Sequence, residues 1–294
     1  MSSKEIIYIL GAGRSGSTVL ATVLNNHKKI TNVGELHHFF SYLKNNDACS
    51  CGFEFDSCKY WRSVKQSLPK KIKDNVTDYE QLAHRMEYHS AIPYYLAGTK
   101  PRGDFQKYQE AQKQLIEAIH TNNNRYVLDS AKYIGRFLAL RKIYNGNVKG
   151  IFLIRDVRGV ITSFQKKVQT YSPPLRTVLY YWIINVLGQI LVWFLSNKQI
   201  MKVRYEDIVD NPEQTFIDIG NFLEIDFSET IKKIEEKEPF EIPHLVGGNR
   251  LKKSDTITLR KDDRWIKNMS TCKKIGYYLL SFPLMLINKY KILK

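Results

Sequence analysis

Residues 6–35 read IIYILGAGRSGSTVLATVLNNHKKITNVGE, and the fold turns on this stretch. A short apolar run enters a glycine-rich turn. Val19, Leu20, Val23 and Leu24 then recur at helical spacing, which reads as a buried strand, a tight loop and a helix packed back on a sheet. Such a loop suits an anion, because the first N–H groups of a helix have no partner within it and its dipole adds positive charge there. Gly11, Gly13 and Gly16 let the backbone come close to a ligand, and Arg14, Ser15, Ser17 and Thr18 add side-chain donors.

Three readings of the loop are open. Residues 11–16 fit G-x-G-x-x-G, with Glu35 about where a dinucleotide fold places its ribose-binding acid. Residues 11–18 nearly fit the P-loop G-x-x-x-x-G-K-[ST], except that Ser17 replaces the phosphate-reaching lysine, which disfavours an NTPase. The third reading is a P-loop altered for another anion, with Arg14 supplying the charge.

The chain has 294 residues, and 43% hydrophobic with 12% aromatic content is ample for a large core. A formal net charge of +16 points to an anionic partner, or else to a lysine-rich solvated surface. No aromatic-interleaved basic repeat or zinc-finger spacing is present, so nucleic acid is not an expected partner. Residues 1–10 show no signal-peptide pattern, and a cytoplasmic protein is the expectation. The apolar run 179–195 contains Asn185, Gly188 and Gln189 and reads as a buried helix. Cys49, Cys51 and Cys58 cluster but lack the paired spacing of a zinc site, although His37 and His38 are near in sequence; no metal is expected, and three thiols or a loop disulfide stay open.

Further along, residues 30–33 read as a second strand, 126–129 as a third, 150–154 as a fourth and 200–205 as a fifth. Helical patterns at 134–143, through Val160 and Ser163, and at 179–195 separate the later strands, and 207–223 follows the fifth, with an internal start at Asn211-Pro212. Strands apolar on both faces and alternating with helices predict an α/β protein: a parallel, P-loop-type β-sheet with helices on both faces. The polar 36–121 region reads as an irregular helical insertion shaping a substrate pocket, and 275–294 as a C-terminal helix, all within one domain spanning 1–294. Ligands of such sheets bind beyond the carboxyl ends of the strands, where the glycine loop, Glu35, Ser130, Lys132 and Arg155 should converge.

Taken together these strand ends resemble the sulfotransferases that use 3′-phosphoadenosine-5′-phosphosulfate (PAPS). GAGRSGST (11–18) resembles the family's 5′-phosphosulfate loop. IRDVRGVITSF (154–164) resembles its 3′-phosphate motif, which implies that Arg155 and Ser163 bind that phosphate. LDSAK (128–132) and VRYEDIVDNP (203–212) are similar to two further recurrent blocks. HLVGGNRLK (244–252) is similar to the late loop that closes over the nucleotide, implying roles for Gly248, Asn249, Arg250 and Lys252, the last standing where Arg is common.

The resemblance implies in-line sulfuryl transfer from PAPS to a hydroxyl or amine, leaving 3′-phosphoadenosine 5′-phosphate, with no metal required. Negative charge then builds on the leaving phosphate, so positioning and electrostatics dominate. Gly13, Arg14, Ser15, Gly16, Ser17 and Thr18 would cradle the phosphosulfate, and Arg14 and Lys132 would meet the growing charge. The spacing to Gly34-Glu35 resembles the tyrosyl-protein branch and several bacterial members, implying Glu35 as the base that takes the acceptor's proton; His37 and His38 are alternatives.

The blander readings are a helix-capping Glu35, a surface Lys132, and an Arg155 paired with Asp156 or Asp207. The acceptor is expected to be a small molecule or carbohydrate of unspecified identity, and the oligomeric state is open. The apolar, then basic, C-terminal segment fits either docking on the core or peripheral contact with a membrane. An NAD(P)-dependent oxidoreductase and a catalytically idle anion- or membrane-binding protein are the competing functions.

Overall fold

The computed structural model describes residues 5–97, 103–120, 124–166, 171–248 and 254–293. The opening apolar run forms β1 (Glu5–Gly11), in which Ile6, Ile7, Tyr8, Ile9 and Leu10 are wholly buried. A two-sided burial of this kind is what a central parallel strand requires. With β2 (Ile30–Asn32), β3 (Tyr126–Lys132), β4 (Val148–Ile154) and β5 (Ile200–Arg204) it makes a five-stranded sheet in the order β2-β3-β1-β4-β5. The order reverses at β1, so the glycine loop after β1 stands at the topological switch point, where open α/β sheets take their ligands. A short antiparallel pair, β6 (Phe240–Glu241) with β7 (Thr256–Ile257), lies outside this sheet.

The contacts group the chain into two compact units. The first comprises Met1–Leu10, Thr18–Gly150 and Pro239–Ile257. In it β3 pairs in parallel with both β1 and β2. Register runs from Glu5 opposite Tyr126 to Tyr8 opposite Asp129, then slips by one residue so that Leu10 faces Lys132. A bulge of this sort re-aims the side chains that follow it. The region expected to be an irregular helical insertion is helical, and its helices are regular: Phe39–Asn45, Lys59–Ser67, Lys70–Asp74, Val76–Glu87, Ile92–Leu96 and Gly103–Ile119. They range from five residues to the seventeen of Gly103–Ile119, so their patterns read as mixed. Phe39, Phe55 and Trp61 are fully buried beneath them, with Phe55 stacked on Trp61 at 5.4 Å.

One ionic cluster ties these helices to the sheet. Arg136, fully buried on the helix Ile134–Ile143, donates from Nε to Asp129 on β3 at 2.7 Å and from Nη1 to Glu87, which also accepts from the Tyr108 hydroxyl at 2.8 Å. Burial pushes Glu87 up to about 7 even with Arg136 beside it.

The second unit comprises Gly11–Ser17, Ile151–Glu238 and Thr258–Lys294. Asp156 caps the helix Val157–Phe164 by accepting from the Arg158 N–H at 2.9 Å. Pro212 starts the helix Pro212–Leu223 after the short helix Tyr205–Asp210, as the sequence predicts.

The apolar helix is longer than expected, Pro174–Phe194, and the expectation that it is buried fails along one side. Leu175, Leu179, Ile183, Val186, Ile190 and Trp193 are exposed, while the polar interruptions Asn185 and Gln189 are buried. These polar side chains are satisfied inside, where Asn185 Nδ2 donates to the Tyr181 carbonyl and Gln189 accepts from Lys202. By length and composition this helix could cross a membrane, with 44% of its most apolar window buried.

The single C-terminal helix expected over 275–294 is also corrected. Helix Thr271–Leu280 ends, and Leu284–Ile287 is a separate turn after Pro283, which has no N–H to continue the ladder. The tail is anchored where Arg158 donates to the Lys291 and Ile292 carbonyls and Tyr290 donates to Glu206 at 2.8 Å.

Replacing Arg136 by Leu would leave Asp129 and Glu87 buried without their cation. The expected loss in denaturant-unfolding free energy is about 3–5 kcal/mol. Removing the exposed Lys44–Glu80 pair with Lys44→Ala should cost under about 1 kcal/mol.

Candidate active site

In the first unit, Glu35 follows Gly34 at the end of β2. Gly34 has φ +82°, and a Cβ there would fall 2.3 Å from the Val246 carbonyl oxygen. That carbonyl accepts from the Glu35 N–H at 2.8 Å, and Asp129 accepts from the Leu36 N–H at 3.3 Å, so the turn is held on both flanks. The Glu35 side chain caps nothing. It lies 2.5 Å from Lys132 Nζ, an ion pair in which both side chains are largely buried. Lys132 reaches it from the bulged end of β3 with φ +74°, a left-handed conformation that costs a non-glycine residue about 1–2 kcal/mol. Such outliers concentrate at functional sites.

His37 and His38 lie beside this pair. Burial, then the charges of His38, Lys132 and Arg136, hold His37 well below the usual imidazole range, and its Nδ1 is buried without a hydrogen bond. Glu35, His37 and His38 could converge on a metal ion, but Lys132 already supplies the positive charge there. Gly247, at φ +65°, packs against Glu35 and His38; a Cβ would meet them at 2.9 and 2.7 Å. The chain 244–248 is therefore the backing of Glu35. Gly248 has open space beside it, and Asn249, Arg250 and Lys252 lie outside the described residues.

In the second unit, the loop 11–17 is shaped by close approach. A Cβ on Gly11 would sit 2.2 Å from the Leu153 carbonyl oxygen, and one on Gly16 would sit 2.5 Å from the Tyr205 ring. The Gly13 N–H donates to the Tyr180 hydroxyl at 2.8 Å. Arg14, also left-handed at φ +68°, places its guanidinium 5.5 Å from the Phe164 ring centroid. Ser15 is buried and its Oγ has no hydrogen-bond partner. Ser17 and, in the first unit, Thr18 are buried at the start of the helix Ser17–Asn25.

Arg155, 5% exposed, leaves β4 and donates from Nη1 to the Arg14 carbonyl at 3.0 Å. Neither Asp156 nor Asp207 is its partner. Nη2 instead donates to Asp262 at 3.1 Å, and its buried Nε has no hydrogen-bond partner among the described residues. Gly159 makes room for that Nε, since a Cβ would come within 2.9 Å of it. Arg264 also grips Asp262, and Lys166 stands 3.9 Å away. Partial burial would raise the Asp262 carboxyl, but hydrogen bonds from Arg264 and the charge of Arg155 hold it well below the usual carboxylate range. Ser163 is half-buried in the last turn of Val157–Phe164.

Two residues of consequence escape sequence reading. Asp262 carries no motif and is distant in sequence from Arg155. His244 is the second: its Nδ1 lies 3.3 Å from Cys58 Sγ and 3.7 Å from Cys49 Sγ, giving the cysteine cluster a fourth donor that spacing alone did not reveal. The expectation of no metal-ligand set rested on local spacing, and the missing member is 186 residues away from Cys58.

A family model described as "Sulfotransferase family" matches residues 7–229. Among solved structures the chain is similar to a sulfotransferase domain from the curacin biosynthetic pathway, at 19% identity over 100% of both chains with TM-score 0.53. It is also similar to the sulfotransferase domain of the Synechococcus PCC 7002 olefin synthase, at 20% identity over 97% of this chain and 94% of that one with TM-score 0.50. At these identities the likeness is one of fold. No curated protein sequence matches.

His37 gives a pH signature. Its folded-state pKa is lowered, so the unfolded chain takes the proton first and stability falls as pH drops below about 6.5. Unfolding free energy measured from pH 7 to pH 5 should therefore fall less steeply in His37→Phe, by at most about 1.4 kcal/mol per pH unit.

Proposed function

This chain belongs to the sulfotransferase family, and on that footing we propose that it transfers a sulfuryl group from PAPS to a hydroxyl or amine of a small-molecule or carbohydrate acceptor. The observation carrying the donor assignment is a pair of orphaned buried donors, Arg155 Nε and Ser15 Oγ, within one compact unit. Other buried polar atoms also lack partners, Trp61 Nε1 and Tyr181 Oη among them, so the support comes from where these two fall: at the motifs that resemble the 3′-phosphate and phosphosulfate sites, where an anionic ligand would satisfy them.

When bound, PAPS supplies the activated sulfuryl group and a good leaving phosphate. Arg155 and Ser163 would hold the 3′-phosphate. Ser15, Gly16, Ser17, Thr18 and the Gly13 amide, once Tyr180 yields it, would hold the 5′-phosphosulfate, and Gly248, Asn249, Arg250 and Lys252 would close over the nucleotide. Arg14 and Lys132 would offset charge on the departing oxygen. Glu35 would take the acceptor's proton on a carboxylate oxygen; Lys132 and the Val246 carbonyl aim it beforehand. The helices of the 36–121 region would shape the acceptor pocket.

Thermal shift tests the donor assignment. At about 100 times its Kd, 3′-phosphoadenosine 5′-phosphate adds about 2.7 kcal/mol, a rise on the order of 5 °C, whereas NAD and ATP should add little. An equal response to NAD overturns the reading. Glu35→Gln should keep this response while lowering kcat by about 10²–10⁴, and Arg155→Ala should weaken it by about 10-fold or more.

The tail supports a second reading, and we propose that this face rests on an anionic membrane surface. The exposed row on Pro174–Phe194 belongs to the same unit as exposed Leu279, Leu280, Phe282 and Leu286, and Trp182 donates to the Leu280 carbonyl at 2.8 Å. Lys289 and Lys291 and the +16 charge complement acidic lipid. Sedimentation with vesicles containing phosphatidylserine should exceed that with neutral vesicles and drop in Ile183→Glu/Leu286→Glu. Equal sedimentation, or a dimer that these changes dissociate, would overturn it.

A further inference from the structure

The first unit contains a cluster that the transfer reaction does not use. Cys49, Cys51, Cys58 and His244 each turn a ligand atom inward, and the four atoms lie within 4.8 Å of one another. We propose that they form a structural zinc site that locks the polypeptide behind Glu35.

The dimensions fit. Tetrahedral zinc has bonds of about 2.3 Å to sulfur and about 2.0–2.1 Å to nitrogen, so ligand atoms stand about 3.6 Å apart for sulfur to nitrogen. Cys58 Sγ and Cys49 Sγ lie 3.3 and 3.7 Å from His244 Nδ1. Burial, the largest influence, pushes the Cys58 thiol up and that of Cys49 up to about 12, so both keep their protons until a cation displaces them, and backbone amides oppose that rise. The N–H groups of Tyr60 and Trp61 point at Cys58 Sγ, where Cys58 heads the nine-residue helix Lys59–Ser67, and the Cys51 N–H points at Cys49 Sγ. Amides aimed at sulfur favour the ionised ligand and orient it. The Tyr60 ring lies parallel to the His244 imidazole at 5.6 Å and fixes its plane. Each thiol that ligates releases its proton to solvent.

Four protein ligands leave no open position, so the chemistry is structural and not hydrolytic. What the site holds together is specific. Ser50, between two of the cysteines, donates to the Pro243 carbonyl at 2.5 Å and accepts from the Leu245 N–H at 2.8 Å. From His244 the chain runs directly to Val246, which accepts from the Glu35 N–H, and to Gly247, which packs on Glu35 and His38. Zinc would join the 48–58 loop to this segment and so set the position of Glu35 through its backbone.

A disulfide is the rival occupant. Cys49 with Cys58 would leave Cys51 and His244 without a role, and all four cysteines are free in the structure.

The test is metal content of untagged protein made in zinc-supplemented medium and dialysed against metal-free buffer. We expect about one zinc per chain, released when a mercurial titrates the thiols. His244→Ala and Cys58→Ser should lose most of it, while Cys272→Ser, outside the cluster, should retain it. Chelation should lower the melting temperature of the wild-type protein but not that of any folded His244→Ala. Wild-type protein without zinc overturns the proposal, whether its thiols titrate freely or intact mass shows a disulfide; so does zinc retained in full by His244→Ala.

Discussion

Burying a carboxylate is expensive unless its lone pairs are filled, and Asp129 fills them in a way that organises the first unit. It is fully buried in the middle of β3, and Arg136 neutralises it from 2.7 Å. Its oxygens also accept from the Leu36 and Ala131 N–H groups. One of those amides follows Glu35 in sequence and the other precedes Lys132. The two ends of the Glu35–Lys132 ion pair are thus fixed to a common anchor, a rigidity that the catalytic role proposed for them would need. Arg136 extends the anchor to Glu87, so the helices above the sheet share the same constraint.

The second unit solves a different problem. Arg155 emerges from β4 into a buried position, where an unpaired cation would be costly. Asp262 and the Arg14 carbonyl satisfy its two terminal nitrogens, Tyr205 lies under its guanidinium at 4.4 Å, and Nε alone is left over. Gly159 and Gly16 keep side chains out of this region, which gives both glycines a steric reason to be where they are.

Much of this was legible in the sequence because the signal was local. Two-sided apolar runs announced the strands, and the spacing of Gly11, Gly13 and Gly16 before a helical pattern announced the loop. Glu35 and Lys132 were legible as strand-end residues, though not as partners, since their meeting depends on the bulge that turns Lys132. What escaped depended on distance or on direction. Asp262 and His244 reach their partners across more than a hundred residues. The helix Pro174–Phe194 is apolar nearly all round, so composition could not say which side faces solvent, and its buried Asn185 and Gln189 inverted the usual rule. The helical character of the 36–121 region was legible, but the bounds of its shorter helices were not, since Lys70–Asp74 and Ile92–Leu96 span little more than one turn each.

Asp262 also bears on selectivity. An anion that takes Arg155 must displace a carboxylate already shared among Arg155 and Arg264, with Lys166 near by. A weakly binding ion such as chloride would gain little by the exchange, because it would only replace the charge-assisted hydrogen bond that Arg155 already makes to Asp262. A group offering three oxygens and two charges can repay the displacement and also reach the idle Nε. If Arg155 holds the phosphate proposed for it, the protein's own carboxylate would act as a threshold, reserving the arginine for ligands of phosphate-like valence.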